Sequence, residues 1–315
     1  MPPHAALAEI QRLDPQRDHL RIVWLITFVE FPWDTTRSLE IALFRTFAAP
    51  PTSALLAATG ELSQRPQKRY DDTDLILSEI LEHGYDSERG RAALRRMNRL
   101  HGRFAIPNEA YLYVLSTFVF EPVRWIDRFG WRPLTDNEKL AIFYYWRELG
   151  RRMNIKDIPA DYAEFERFNV EYERQVFAFS PANAEIAAAT RDMFLGWFLP
   201  RPLRSLGAPF IHALLDDPLL EAFGFPKPSP FMRRLTSGLL RLRARVVRWL
   251  PRRTRPHLRT GPRRPTYPHG YAIEHLGPDL DSPEARANLV ARDFMSRDPH
   301  RVPAEPDPLT PPEAA

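Results

Sequence analysis

The chain has 315 residues, 44% of them apolar, a formal net charge of +4 and no cysteine. That is enough apolar material for one large packed domain or two small ones. The lack of thiols excludes disulfides, thiolate-ligated haem, Cys-x-x-Cys-His haem attachment, iron–sulfur clusters and cysteine-rich zinc sites, so a transition metal has to rest on carboxylates and the nine histidines.

No basic-then-apolar leader opens the sequence, and its longest apolar run, residues 22–29, falls far short of the roughly 20 residues that span a bilayer. The expectation is a cytoplasmic protein without a membrane span. Asp34 is placed to cap a helix carrying Leu39, Leu43 and Phe47, which Pro50-Pro51 should end. After Gly60 and Pro66, a second helix should hold Arg69, Thr73, Ile76, Leu77 and Ile80 and close at Gly84. Ser87 should cap a third, which carries His101 and stops at Gly102 and Pro107. Asn108 opens a long apolar helix with Pro122 inside it, a position where one backbone bond is lost. Thr135-Asp-Asn-Glu138 is a capping box ahead of a helix with Ile142, Tyr145, Trp146 and Leu149 on one side. Further helices are expected over residues 162–177, 181–198 and 283–295. Period-2 strands are missing, so the fold class is all-α.

From there the composition shifts: 20 of the 32 prolines lie at or after Pro200, and residues 233–264 hold 12 arginines and no acid. A run so one-sided must be solvated, folded against an acidic surface, or pressed onto an anionic partner. Within it, Leu235, Leu239, Leu242, Val246 and Trp249 or Leu250 form a stripe beside Arg241, Arg243, Arg245 and Arg248. Such a stripe either docks on the domain with its charges in water or lies on an anionic leaflet, giving peripheral membrane contact through residues 238–264. Nucleic acid is not expected, since no recognised motif and no interleaved aromatics accompany the arginines. The expected organisation is an N-terminal extension (1–19), a single all-α domain (20–296) with a basic Pro/Arg-rich segment at 226–270, and a disordered tail (297–315).

The candidate site lies on the second and third helices. Leu94, Met97, His101 and Phe104 share one helical stripe, while Arg95, Arg96, Arg99 and Arg103 point elsewhere. His101 therefore faces inward, which suits either a packed core histidine or an axial haem ligand whose other ring nitrogen is held by a carbonyl. Arg69, Asp72 and Thr73 can share a face, either as a solvated local Arg–Asp pair or as a polar cluster in an apolar cavity. In the second case the guanidinium steadies negative charge on reduced dioxygen, the hydroxyl hydrogen-bonds it, and the carboxylate carries a proton. Glu79 and His83 read as an exposed helix end, and His269 and His275 as loop residues that could still line the pocket. No phosphate-binding loop, His-Glu-x-x-His helix, nucleophile elbow or Glu-x-x-His pair occurs.

Several separated strings, in order, carry a resemblance. They are Phe31-Pro-Trp-Asp34, Gln67-Lys-Arg-Tyr-Asp-Asp-Thr73, Met97-Asn-Arg-Leu-His-Gly-Arg-Phe104, Ile106-Pro-Asn-Glu109 with Tyr111-Leu-Tyr113, Phe129-Gly-Trp-Arg-Pro-Leu134, and Tyr267-Pro-His-Gly-Tyr271. Together they resemble the MpaB-type oxygenase family, which includes the rubber oxygenase called latex clearing protein. The resemblance implies a globin-like core around haem b, with His101 as proximal iron ligand and Arg69 and Thr73 as the distal Arg-x-x-x-Thr. Met97 and Phe104 would flank the cofactor. Rubber-cleaving members carry lysine where this chain has Asp72, so rubber cleavage is not carried over. The function implied is a haem-dependent oxygenase acting with dioxygen on an apolar, isoprenoid-like or otherwise unsaturated small molecule, with an unidentified electron donor. A carrier of haem or lipid without turnover is the alternative.

Overall fold

A computed structural model describes residues 5–251 and 253–278 of the chain. Among them fourteen α-helices form and no β-sheet does, as the periodicity predicts. In chain order they are α1 (Ala5–Ile10), α2 (His19–Leu25), α3 (Pro32–Phe47), α4 (Pro50–Thr59), α5 (Glu61–Gln64), α6 (Pro66–His83) and α7 (Glu88–His101). Then follow α8 (Asn108–Phe129), α9 (Asp136–Arg152), α10 (Tyr162–Val176), α11 (Pro181–Gly196), α12 (Arg204–His212), α13 (Asp217–Phe223) and α14 (Pro230–Trp249). The helix expected at 283–295 and the tail expected at 297–315 lie outside the described residues.

The caps explain most boundaries. Ser87 accepts from the Gly90 amide at 2.9 Å, and Thr135 with Glu138 forms the full capping box. Asp34 does not act as a cap. Pro32, preset for the first turn, starts α3 two residues earlier, and the buried Asp34 carboxylate instead accepts from Arg243 at 2.7 Å and Trp125 at 3.3 Å. Pro50-Pro51 likewise opens a helix, α4, which turns away from α3 by about 100°. α8 runs through Pro122 without ending.

The main core gathers side chains from α1, α2, α6, α7, α8 and α9, with Phe28, Phe31, Leu75, Phe120 and Tyr145 almost wholly buried. Ala6 and Ile10 are part of it, so the packed body takes in residues that the sequence reading set aside as an N-terminal extension. A second apolar cluster forms around Phe44, Ile186, Phe194, Leu220 and Phe223. Arg45 on α3 joins α8, α10 and the N-cap of α13 by pairing with Glu121 at 2.8 Å, Glu173 at 2.9 Å and Asp216.

The α6–α7 pair is an antiparallel hairpin. Gly84 sits at φ +77°, in the left-handed region that favours glycine, and the turn closes so tightly that a Cβ on Gly90 would lie 1.9 Å from the Gly84 carbonyl oxygen. A Gly90→Ala chain should therefore be less stable by about 1–3 kcal/mol in urea unfolding. Gly238→Ala, on the open side of α14 where a Cβ meets nothing, should instead be neutral or gain up to about 1 kcal/mol. Equal effects at the two positions would contradict this account of the hairpin.

Candidate active site at the open end of the hairpin

Counted outward from the turn, Arg69 on α6 and His101 on α7 stand at nearly the same distance, so an antiparallel pair of helices brings them to one level, roughly 20 Å from the turn. Thr73 lies one turn along α6 from Arg69. The Arg69 guanidinium donates to the Thr73 hydroxyl, which donates in turn to the Arg69 carbonyl at 3.0 Å. The shared face expected for Arg69 and Thr73 is present.

His101 is enclosed by the protein body, and burial followed by the charge of Arg69 pushes its pKa down to about 4. At neutral pH the imidazole is uncharged. Its Nδ1 is buried with no hydrogen-bond partner among the described residues, so the carbonyl expected to orient the ring is missing. What orients it is Tyr111, whose ring meets it edge-on at 5.6 Å between centroids and whose hydroxyl lies 3.4 Å from the His101 carbonyl. Burial also pushes the Arg69 pKa down against the opposing pull of the Asp72 and Glu61 charges, Asp72 being bonded to Lys68 and Glu61 to Arg65. Arg69, Thr73, His101 and Tyr111 each keep part of their surface open, and the charge of Arg69 is felt at the His101 ring. Met97 is buried on the same stripe as His101, and Phe104, half-buried, donates its amide to the His101 carbonyl at 3.0 Å.

Asp72 points elsewhere. Its two oxygens accept from Lys68 at 2.7 Å and from the Tyr267 hydroxyl, and Lys68 also donates to the Gly277 carbonyl at 2.7 Å. With both oxygens engaged, Asp72 is a clasp for the chain beyond α14 rather than a free proton carrier. It belongs to an acidic row along α6. Asp71 accepts from the Thr266 amide at 3.2 Å, Asp74 pairs with Arg259 and Arg264, and Glu82 accepts from the Thr260 amide at 2.9 Å. Glu79 is not an exposed helix end either. It is buried and takes Arg89 at 2.8 Å, Tyr271 at 2.6 Å and His83 at 3.4 Å. The strap formed by residues 259–277 closes over the hairpin, where Arg96 donates to the Leu276 carbonyl at 2.7 Å and Leu276 is fully buried. His269 and His275 ride on this strap with exposed side chains rather than lining a pocket. Lys68, Tyr111 and Tyr267 went unassigned in the sequence reading. The four-residue Lys68–Asp72 spacing was the one legible signal among them.

Among the described residues no group of three or more His, Asp or Glu side chains could hold a metal ion. A metal bound at His101 would need most of its ligands from something other than side chains. A hollow of about 390 Å³, lined by Gln67, Met193, Trp197 and Arg204 among others, lies at α6 and α11 rather than beside His101.

A family model described as ER-bound oxygenase mpaB/B'/Rubber oxygenase, catalytic domain, matches residues 40–249. The chain is similar to ER-bound oxygenase mpaB' of Penicillium brevicompactum, 33% identical over 290 residues, which are 85% of this chain and 65% of that protein. It is also similar to ER-bound oxygenase mpaB of Penicillium roqueforti (strain FM164), 31% identical over 213 residues, 62% of this chain and 71% of that protein. A third similar protein is ER-bound oxygenase mpaB of Penicillium brevicompactum, 30% identical over 280 residues, 85% of this chain and 64% of that protein. The chain thus spans just under two thirds of the length of the two Penicillium brevicompactum proteins.

The lowered pKa of His101 has a signed consequence. Between about 4 and the ordinary 6.5 the unfolded chain holds a proton on this ring that the folded chain does not, so stability falls as pH drops through that window. Glu40, pushed up to about 7 by burial, acts in the opposite sense, so the comparison has to be between wild type and a His101 variant. Urea unfolding at stepped pH should show His101→Leu retaining more of its neutral-pH stability at pH 4 than wild type, by on the order of 2–3 kcal/mol. Parallel pH profiles would contradict the buried, neutral imidazole.

Proposed function

The chain belongs to the family of ER-bound oxygenase mpaB/B' and rubber oxygenase catalytic domains, and from that membership and the juxtaposition of His101 and Arg69 we propose that it is a haem-dependent oxygenase acting on an apolar small molecule. The observation that carries the reading is the pairing of an uncharged, buried imidazole that has an unsatisfied ring nitrogen with a buried guanidinium that, among the described residues, has no carboxylate in ion-pair contact. A ligating histidine must be neutral, and an unpaired buried cation favours a ligand that carries or develops negative charge.

The residues present fit haem b. His101 would hold the iron from α7, with Met97 and Phe104 beside it, and the porphyrin would supply the metal ligands that the side chains do not. When bound, the haem supplies the electron chemistry with dioxygen. Arg69 holds a fixed positive charge where negative charge develops, and because it is already desolvated it needs no reorganisation to do so. The Thr73 hydroxyl, which accepts from the Arg69 guanidinium and spends its one proton on the Arg69 carbonyl, keeps the guanidinium aimed. Tyr111 fixes the imidazole plane, while Leu94, Leu100 and Leu276 exclude water. An unsaturated, isoprenoid-like substrate suits such walls, and an electron donor of unidentified nature would complete turnover. The relatives are named as ER-bound, and no single helix among the described residues is long and apolar enough to cross a membrane. We place the catalytic body on the cytoplasmic side of a membrane surface.

The visible spectrum of the purified, haem-supplemented protein tests this reading. Wild type should show a Soret band that His101→Ala loses or shifts strongly, whereas Arg69→Gln and Thr73→Val should keep the colour and lower dioxygen consumption with unsaturated lipids by about 100-fold or more. A colourless wild type, or identical spectra in wild type and His101→Ala, would overturn it.

A further inference from the structure

α14 is attached to the body the wrong way round for an ordinary amphipathic helix. Most of what it turns inward is small or polar: Thr236 and Ala244 are buried, Arg243 pairs with buried Asp34 and covers the Trp33 ring at 3.8 Å, and Ser237 accepts from Arg128 at 3.4 Å, with Leu240 as the leucine that packs on the core. The stripe that should have been the core face points out. Leu239, Leu242 and Val246 are 50%, 54% and 51% exposed, and Trp249 at the helix end is 88% exposed. α12 packs beside α14 and carries Leu206, which is largely exposed. Arg234, Arg241, Arg245 and Arg248 are exposed along this outward half, and no acidic residue occurs anywhere from 233 to 264.

We propose that the outward face of α14 is a docking surface for an anionic lipid bilayer, with the helix lying in the plane of the interface. Exposed leucine and valine at helical spacing insert only where water can be left behind, and arginines on the flanks reach lipid phosphates while their stems cover apolar surface. Trp249 has the amphipathic shape favoured at the headgroup level. Charge decides among occupants. A second copy would set arginine against arginine, and nucleic acid would satisfy the arginines but leave the leucine stripe in water. The docking itself does not depend on haem.

Flotation of the full chain with vesicles tests it, using phosphatidylcholine alone or mixed with phosphatidylserine. The chain should float with the mixed vesicles, float little with phosphatidylcholine alone, and be released progressively as salt rises. Leu239→Asp and Val246→Asp should each weaken binding by on the order of tenfold, since one buried aliphatic side chain is lost. Arg241→Glu with Arg245→Glu should abolish the preference for phosphatidylserine. All these positions are exposed, so unchanged thermal unfolding of each variant confirms that only the surface has changed. Failure of wild type to bind the mixed vesicles, or binding indifferent to Leu239→Asp, would overturn the proposal. So would a concentration-dependent dimer that Leu239→Asp dissolves, which would assign the stripe to a second copy. Binding that appears only after removal of residues 279–315 would assign it to the chain's own C-terminal segment.

Discussion

A desolvated guanidinium with no carboxylate in ion-pair contact is expensive, and among the described residues Arg69 is such a group. Removing a charge from water costs several kcal/mol even after relaxation, and the cost shows in the lowered pKa of Arg69 and, across the hairpin, of His101. The surrounding body must over-determine the arrangement. It does so with the tight Gly84–Gly90 turn that fixes the register of α6 on α7, the Arg69–Thr73 contact that sets the side chain, and the strap that seals the open end.

The strap also resolves the charge asymmetry of the chain. Twelve arginines in a row of 32 residues would repel one another in isolation. Part of that run is neutralised by α6, where Asp74 takes Arg259 and Arg264, and Asp34 on α3 takes Arg243. The inner face of α6 therefore carries the site residues while its other side, through Asp71, Asp72, Asp74, Glu79 and Glu82, holds the covering segment in place. One helix does both, so a change in how the strap sits is felt one helical turn from Arg69. Arg234, Arg241 and Arg245 stand exposed on the outward half of α14.

Much of this was legible before any coordinates. Helices announced by local chemistry, such as the Ser87 cap, the Thr135 capping box and the apolar periodicity of α6 to α9, form where their residues say, because those signals act within one turn. The pairing of Arg69 with Thr73 was equally local. What the sequence could not decide were choices between distant partners. Asp34 looked like a cap but is claimed by Arg243, 209 positions away. Asp72 looked like a member of the site but is claimed by Lys68 and Tyr267. The stripe on α14 was visible, yet which side of the helix the body would take depended on Trp33 and Asp34, residues that no local pattern connects to it.

Ligand substitution at the imidazole tests the central claim most directly. His101→Gly would remove the ring and leave a space of its own shape, and haem titrated into this variant can be followed by its spectrum with and without free imidazole. The account predicts weak haem binding that added imidazole restores to a wild-type-like spectrum. Haem binding that is undiminished in His101→Gly, or that imidazole leaves unchanged, would contradict the assignment of His101 to the iron.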